Sequence, residues 1–131
     1  MIKNERPPNY DQIAAVFQLN GREIFAYDGV IYAPGKGVIT VELLAHETVH
    51  FDQQSTEGVE KWWDKYLSDT EFRLDQELPA HRGEYLVFLS RHKDRNERAR
   101  YLELVASRLS SNLYGSIISK KQALCRLRSK V

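Results

Sequence analysis

The sequence has very little cysteine and no long apolar run, and both absences narrow the class of protein. Cys125 is the only cysteine, so the chain can form no intrachain disulfide. No apolar run approaches the roughly 20 residues of a membrane-spanning helix. Residues 1–8 lack the apolar segment of a secretory signal. We therefore expect a protein that works in the reducing cytoplasm, without a membrane partner.

Motifs of several enzyme classes are also missing. The sequence has no glycine-rich phosphate loop, no Cys-x-x-Cys pair and no Gly-x-Ser-x-Gly motif. Phosphate-loop, thiol-redox and serine-hydrolase chemistry therefore have no support. With 131 residues, 42% of them hydrophobic and 28% charged, the chain has the composition of one ordinary globular domain, which we place at residues 1–131.

Charge is unevenly distributed, although the net charge is only +1. Residues 1–90 hold 8 basic and 15 acidic side chains, whereas residues 91–131 hold 11 and 3. The basic final third could bind a nucleic acid or an acidic protein. We favour the simpler interpretation that it is a helical extension of the same domain and packs against the acidic part. Nucleic-acid binding is therefore not expected but stays open.

The most informative stretch is His46-Glu47-Thr48-Val49-His50, an HExxH motif. Two histidines four residues apart project from one face of a helix, so their imidazoles can converge on one metal ion. Glu47 lies beside that face, where it can reach a water on the metal without binding the metal itself. The motif predicts a zinc site with His46 and His50 as ligands and Glu47 as general base.

The surrounding sequence favours the helix that this motif needs. Thr40 is a suitable N-cap, and Glu42 in the first turn suits the positive end of the helix dipole. Gly35 and Gly37 place a flexible loop just before it. We therefore predict that the motif helix begins after Thr40.

Two turn signals predict a small sheet before this helix. Asn20-Gly21 and Asp28-Gly29 are favoured two-residue hairpin turns, because both positions tolerate positive φ. Three β-prone segments flank them: residues 16–19, 22–27 and 30–33. The expected fold class is α+β, a small three-stranded antiparallel meander packed on the HExxH helix, a glutamate helix and C-terminal helices.

Capping patterns predict further helix starts. Asn9 and Ser119 each precede a glutamine by three residues, which is the capping-box spacing. Asp94 or Asn96 opens a helix that Gly115 ends. A helix over residues 59–67 carries an aromatic cluster that we expect in the core: Trp62, Trp63 and Tyr66.

A catalytic zinc site needs a third protein ligand. A metzincin would have glycine and histidine where this chain has Gln53 and Thr56, so that solution is excluded. The other common solution is a glutamate from a following helix. Glu77 is the best candidate, since the small Ala80 three residues later lets the two helices approach closely. The competing candidates are Glu71, Asp75, His81 and Glu84.

The start of this glutamate helix can be placed in two ways. With Asp75 as N-cap, Pro79 falls near the first turn, where a missing N–H is tolerated. The alternative is a longer helix from Thr70 with a kink at Pro79.

Together, His46-Glu47-x-x-His50 and Glu77-x-x-Ala80 resemble the motifs of the gluzincin metallopeptidases. The chain looks most like the minimal gluzincin-type domains of small bacterial and phage-encoded peptidases, over about residues 15–90. The resemblance implies a peptide or protein substrate that pairs with an edge strand, a role that would fall to residues 30–33. Many gluzincins have an aspartate after this alanine that orients a metal-binding histidine. Here His81 stands in its place.

In the reaction that this predicts, Glu47 takes a proton from the zinc-activated water and passes it to the leaving amine. The developing oxyanion needs a donor. His81 and Tyr85, one and two turns after Glu77, are candidates, although both could instead orient a ligand or pack. Two rival hypotheses stay open. One is a non-catalytic zinc-, protein- or nucleic-acid-binding module, and the other is a zinc hydrolase for a non-peptide substrate.

Overall fold

The computed structural model describes residues 1–111 and 118–128. In these residues the fold is mixed α+β, with six helices and one three-stranded sheet. The strands are β1 (Ile2–Lys3), β2 (Phe25–Tyr27) and β3 (Val30–Tyr32). The helices are α1 (Tyr10–Val16), α2 (Val41–Glu57), α3 (Val59–Ser68), α4 (Thr70–Arg91), α5 (Arg95–Leu109) and α6 (Lys120–Arg128). None of the helices in the described part is long and apolar enough to cross a membrane.

The second predicted hairpin is confirmed. β2 and β3 pair antiparallel, with Tyr27 opposite Val30 across a two-residue turn. Both turn residues have positive φ, +49° at Asp28 and +78° at Gly29. This is the backbone that a tight hairpin turn with the twist of the strands requires.

The predicted first strand, residues 16–19, is wrong. At Asn20-Gly21 the two backbone N–H groups donate to the Glu23 carboxylate at 2.8 and 3.0 Å, and the Asn20 side chain accepts from the Arg22 N–H at 2.8 Å. Side chains thus satisfy this turn locally, and no strand pairing follows from it.

The third strand of the sheet is instead β1, which pairs parallel with β3 through Ile2 and Ile31. The strand order is β1-β3-β2, so the sheet is mixed rather than an antiparallel meander. β3 is therefore the central strand, and the expectation that residues 30–33 form an edge is wrong.

Most predicted helix starts are confirmed by their caps. The side chains of Thr40 and Asp94 accept from backbone N–H groups three residues later at 3.1 and 3.2 Å. Ser119 and Gln122 form a reciprocal capping box at 3.0 and 3.1 Å. Asn9 precedes α1 but makes no capping hydrogen bond, so the capping box predicted there is wrong. The predicted helix end at Gly115 lies outside the described residues.

Helix α4 begins upstream of Asp75. The Asp69 side chain accepts from the N–H groups of Glu71 and Phe72 at 3.0 and 3.1 Å, and the helix then runs through Pro79. The longer alternative is therefore correct, and Asp75 as N-cap is wrong. Pro79 lies inside this helix and is exposed, whereas Ala80, the next residue, is fully buried.

Two hydrophobic clusters flank the α2–α4 pair. The aromatic cluster joins α1, the β2–β3 hairpin and α3 around residues such as Phe25 and Trp62. The C-terminal cluster joins α4, α5 and α6 around residues such as Leu102 and Leu109. Helices α5 and α6 thus pack on α4 through the C-terminal cluster.

Candidate metal centre

Helices α2 and α4 bring six ionisable side chains together. His46, Glu47 and His50 come from one face of α2, because residues three and four apart share a face. Glu77, His81 and Glu84 come from the facing side of α4. All six are buried, and Glu84 is completely inaccessible. So much ionisable surface is buried only where the groups satisfy one another or bind an ion.

Three ligand atoms form an almost equilateral triangle. Nε2 of His46 lies 3.2 Å from Nε2 of His50, and Oε1 of Glu77 lies 3.2 and 3.3 Å from these nitrogens. Ligands placed tetrahedrally about 2.0–2.1 Å from a zinc ion are separated by roughly 3.3 Å. Oε1 of Glu77 is buried and has no hydrogen-bond partner among the described residues. The sequence-predicted ligands therefore fit a zinc ion in both donor type and spacing.

A glutamine sets the orientation of His50. Nδ1 of His50 lies 2.8 Å from Oε1 of Gln53, whose Nε2 donates to the Gln76 carbonyl at 3.0 Å. Because this glutamine oxygen can only accept, Nδ1 of His50 carries the hydrogen. Nε2 is then the unprotonated nitrogen of the neutral ring, and it faces Glu77. This is the tautomer that a metal ligand needs.

Glu84 sets the orientation of His46 in the same way. Its Oε1 lies 3.1 Å from Nδ1 of His46 and 3.1 Å from Nδ1 of His81. Its Oε2 accepts from the Tyr101 hydroxyl at 2.8 Å and from Arg108 at 3.0 Å. We call Glu84, Tyr101 and Arg108 the buried side of the centre. Glu84 stands where a carboxylate that orients a metal-binding histidine is needed, a role for which the sequence indicated no residue.

The electrostatics favour a cation at the centre. Burial lowers the pKa of His46, but the adjacent Glu77 and Glu84 carboxylates outweigh burial and raise that pKa to about 10. Burial raises the pKa of Glu77, yet His50 and His46 hold it well below its usual range. The cluster thus stabilises positive charge between its carboxylates, which a metal ion can supply in place of protons.

Glu47 lines a cavity whose lining does not include Glu84. Burial raises the pKa of its carboxyl, although His46 and His50 oppose this effect. The cavity has a volume of about 90 Å³ and is lined by His46, Glu47, His50 and Glu77 together with apolar residues. These apolar residues include Ile13, Phe17, Leu19, Ile24, Phe25, Trp62 and Trp63. We call Glu47 and this cavity the pocket side of the centre.

The strand that borders the pocket is β2. Phe25 and Ala26 line the cavity. The Ala26 carbonyl accepts from Nε2 of Gln54 at 2.8 Å and from Nε1 of Trp63 at 3.1 Å. The N–H of Asp28 also donates to Gln54, at 3.1 Å. Gln54 thereby fixes the β2–β3 hairpin to α2, beside the candidate ligands.

Other candidate residues lie elsewhere. Tyr85 is buried in the C-terminal cluster with Leu78 and Leu102 and does not line the pocket. Glu71 and Asp75 are exposed on α4. Of the proposed ligands and their competitors, the structure brings Glu77, His81 and Glu84 to the α2 histidines.

Tyr66 is a site residue that the sequence reasoning missed. It stacks on Trp62 as expected for a core aromatic, but its hydroxyl donates to Oε2 of Glu77. Tyr66 also lines the pocket. It lies on α3, and no periodicity links it to Glu77 on α4. The sequence therefore carried no signal for this contact.

Comparison with known proteins does not identify a family for this chain. No protein-family model, curated protein or solved structure matches the chain. The chemistry of the site has to be argued from its own residues.

Proposed function

We propose that this chain is a zinc-dependent metallopeptidase of the gluzincin type, with His46, His50 and Glu77 as the metal ligands. The triangle of their ligand atoms, with sides of 3.2, 3.2 and 3.3 Å, carries the proposal. Glu84 and Gln53 support it, since both hold a ligand histidine with Nε2 towards the centre. A bound zinc ion would supply Lewis-acid chemistry, polarising a carbonyl and lowering the pKa of water.

Glu47 would be the general base. Its carboxylate lies on the pocket side, next to the ligands but outside the triangle that they form. The pKa of Glu47 is raised towards neutral pH. Such a pKa suits a group that takes a proton from water and then passes it to the leaving amine. The carboxylate therefore cycles between its charged and neutral forms during one turnover.

Neither of the two candidate oxyanion donors, His81 and Tyr85, lines the cavity. Tyr85 packs in the C-terminal cluster, and the Nδ1 hydrogen of His81 is directed to Glu84. We therefore do not propose either residue as the hydrogen-bond donor to the oxyanion.

The proposed substrate is a peptide or an extended protein segment. It would enter the apolar cavity that Phe25 and Ala26 of β2 border, next to the proposed ligands, rather than lie beside the central strand β3. The cytoplasmic setting, inferred from the single cysteine, is part of the same proposal.

Glu47→Gln tests the mechanism, because the amide cannot accept and return the proton. We expect zinc content to be unchanged and hydrolysis of a mixed pool of synthetic peptides to fall by about 10²- to 10⁴-fold. Asp52→Asn is the matched control, an exposed carboxylate on the same helix, and should keep full activity. Undiminished hydrolysis in Glu47→Gln would refute the mechanism, and a zinc-free wild-type protein would refute the metal site.

A further inference from the structure

His81 lies beside the proposed ligand set without being required by it. It follows Glu77 by one turn of α4, so the two side chains share a face. Its side chain is almost fully buried, and its ring centroid is 4.5 Å from that of His46. Ligand atoms of His46, Glu77 and His81 all lie within 4.8 Å of one another.

The orientation of His81 matches that of the ligand histidines. Its Nδ1 lies 3.1 Å from Oε1 of Glu84, and a carboxylate can only accept, so Nδ1 carries the hydrogen. Its Nε2 lies 3.8 Å from Oε1 of Glu77. A single oxygen of Glu84 therefore holds two imidazoles, those of His46 and His81, in the same orientation.

The surroundings of the Glu77 carboxylate indicate why His81 has this orientation. Its Oε1 has no hydrogen-bond partner among the residues that the structure describes, yet three imidazole nitrogens lie at 3.2, 3.3 and 3.8 Å from it. A shared cation between them explains the arrangement.

The approach of His81 also leaves the pocket open. The cavity is lined by His46, His50, Glu77 and Glu47, whereas His81 is not among its lining residues. With four protein donors, a water or substrate would have to bind as a fifth ligand from the cavity that Glu47 lines, a coordination number that zinc enzymes can adopt.

We propose that His81 is a fourth protein donor to the metal, so that three imidazoles and one carboxylate hold the ion and His81 approaches it from outside the lining of the cavity. The proposal rests on the metal site of the proposed function and adds a ligand to it. It also gives the histidine at this position a role different from that of the orienting aspartate found in many gluzincins.

X-ray absorption at the zinc edge tests the proposal, because it counts imidazole ligands without relying on activity. In the zinc-loaded full chain we expect three imidazoles in the wild type and two in His81→Asn. His92→Asn is the control, since His92 caps α4 outside the cluster, and it should retain three. Zinc affinity of His81→Asn should fall by more than the 10–100-fold typical of residues that only orient a ligand.

The possible outcomes separate the two proposals. Two imidazoles in the wild type would overturn the role of His81 and leave the three-ligand site intact. This wild-type count decides the question even if His81→Asn fails to fold. Zinc binding that is absent, or unchanged by His46→Ala, would overturn the metal site and the inference with it.

Discussion

The two sides of the candidate metal centre differ in the polarity of their side chains. The buried side is polar, and Glu84 is completely inaccessible yet bonded to two histidines, a tyrosine and an arginine. The pocket side is mostly apolar, with aromatic residues around the Glu47 carboxylate. One side therefore fixes the proposed ligands His46 and His81 by hydrogen bonds, while the other leaves space beside Glu47, the proposed base.

Side chains of the basic final third contribute to the buried side and bind carboxylates of this chain. Tyr101 and Arg108 of α5 hold the carboxylate that orients His46. Arg91 pairs with Glu42 of α2 at 3.1 Å, and Lys120 pairs with Glu103 at 2.8 Å. Two basic side chains of the final third, Arg91 and Arg108, thus pair with carboxylates of the first 90 residues.

The largest effect should come from breaking the buried side. Glu84→Ala leaves two imidazole N–H groups, Tyr101 and Arg108 without their acceptor. We expect the free energy of unfolding to fall by about 3–5 kcal/mol, as is typical when one partner of a buried ion pair is removed. Urea unfolding measures this change. Glu103→Ala, which breaks an exposed ion pair, should cost no more than about 1 kcal/mol, and equal losses would contradict the comparison.

Metal addition should stabilise the protein by a smaller amount. Zinc at about 100 times its dissociation constant should raise the free energy of unfolding by about 2.7 kcal/mol, because it binds the folded state. Urea unfolding with and without a chelator measures this effect. The same addition should leave His46→Ala unchanged, and an equal stabilisation of that variant would place the zinc elsewhere.

Tyr66→Phe tests the contact between the pocket wall and a ligand. Removing the hydroxyl leaves Oε2 of Glu77 without the donor that orients it. We expect zinc affinity, measured by competition with a chelating dye, to fall by about 10–100-fold. Tyr85→Phe is the matched control in the C-terminal cluster and should leave the affinity unchanged. A larger loss of zinc affinity in Tyr85→Phe than in Tyr66→Phe would mean that Tyr85, not Tyr66, acts on the metal site.

Arg108→Gln should have the smallest effect on the centre. Arg108 is partly exposed, and Glu84 would keep its bonds to Tyr101, His46 and His81. We expect zinc affinity to fall by about 10-fold or less, at the lower end for orienting residues. Arg100→Gln, exposed on the same helix, should change nothing. If Arg108→Gln lowered zinc affinity as much as Glu84→Ala does, Arg108 and not Glu84 would be the residue that organises the buried side.

The sequence predicted those parts of the site that local geometry determines. Four-residue spacing is enough to place His46 and His50 together, and the cap at Thr40 fixes where their helix begins. Glu77 was recognised from its short pattern with Ala80. In each case the signal lies within a few residues of one helix.

The missed features depend on contacts between distant segments. Tyr66 meets Glu77 from another helix, and Arg108 meets Glu84 across 24 residues. β1 has only two residues and pairs with β3 through its backbone, so it leaves no alternating side-chain pattern to recognise. Packing between elements decides these contacts, and side-chain periodicity does not report it.

The most direct test of the central claim is a crystal structure of the zinc-loaded protein with anomalous data collected on both sides of the zinc absorption edge. The account predicts one strong peak between α2 and α4, about 2.0–2.2 Å from Nε2 of His46, Nε2 of His50 and Oε1 of Glu77. No peak at this position, or a peak bound by other residues, would contradict it.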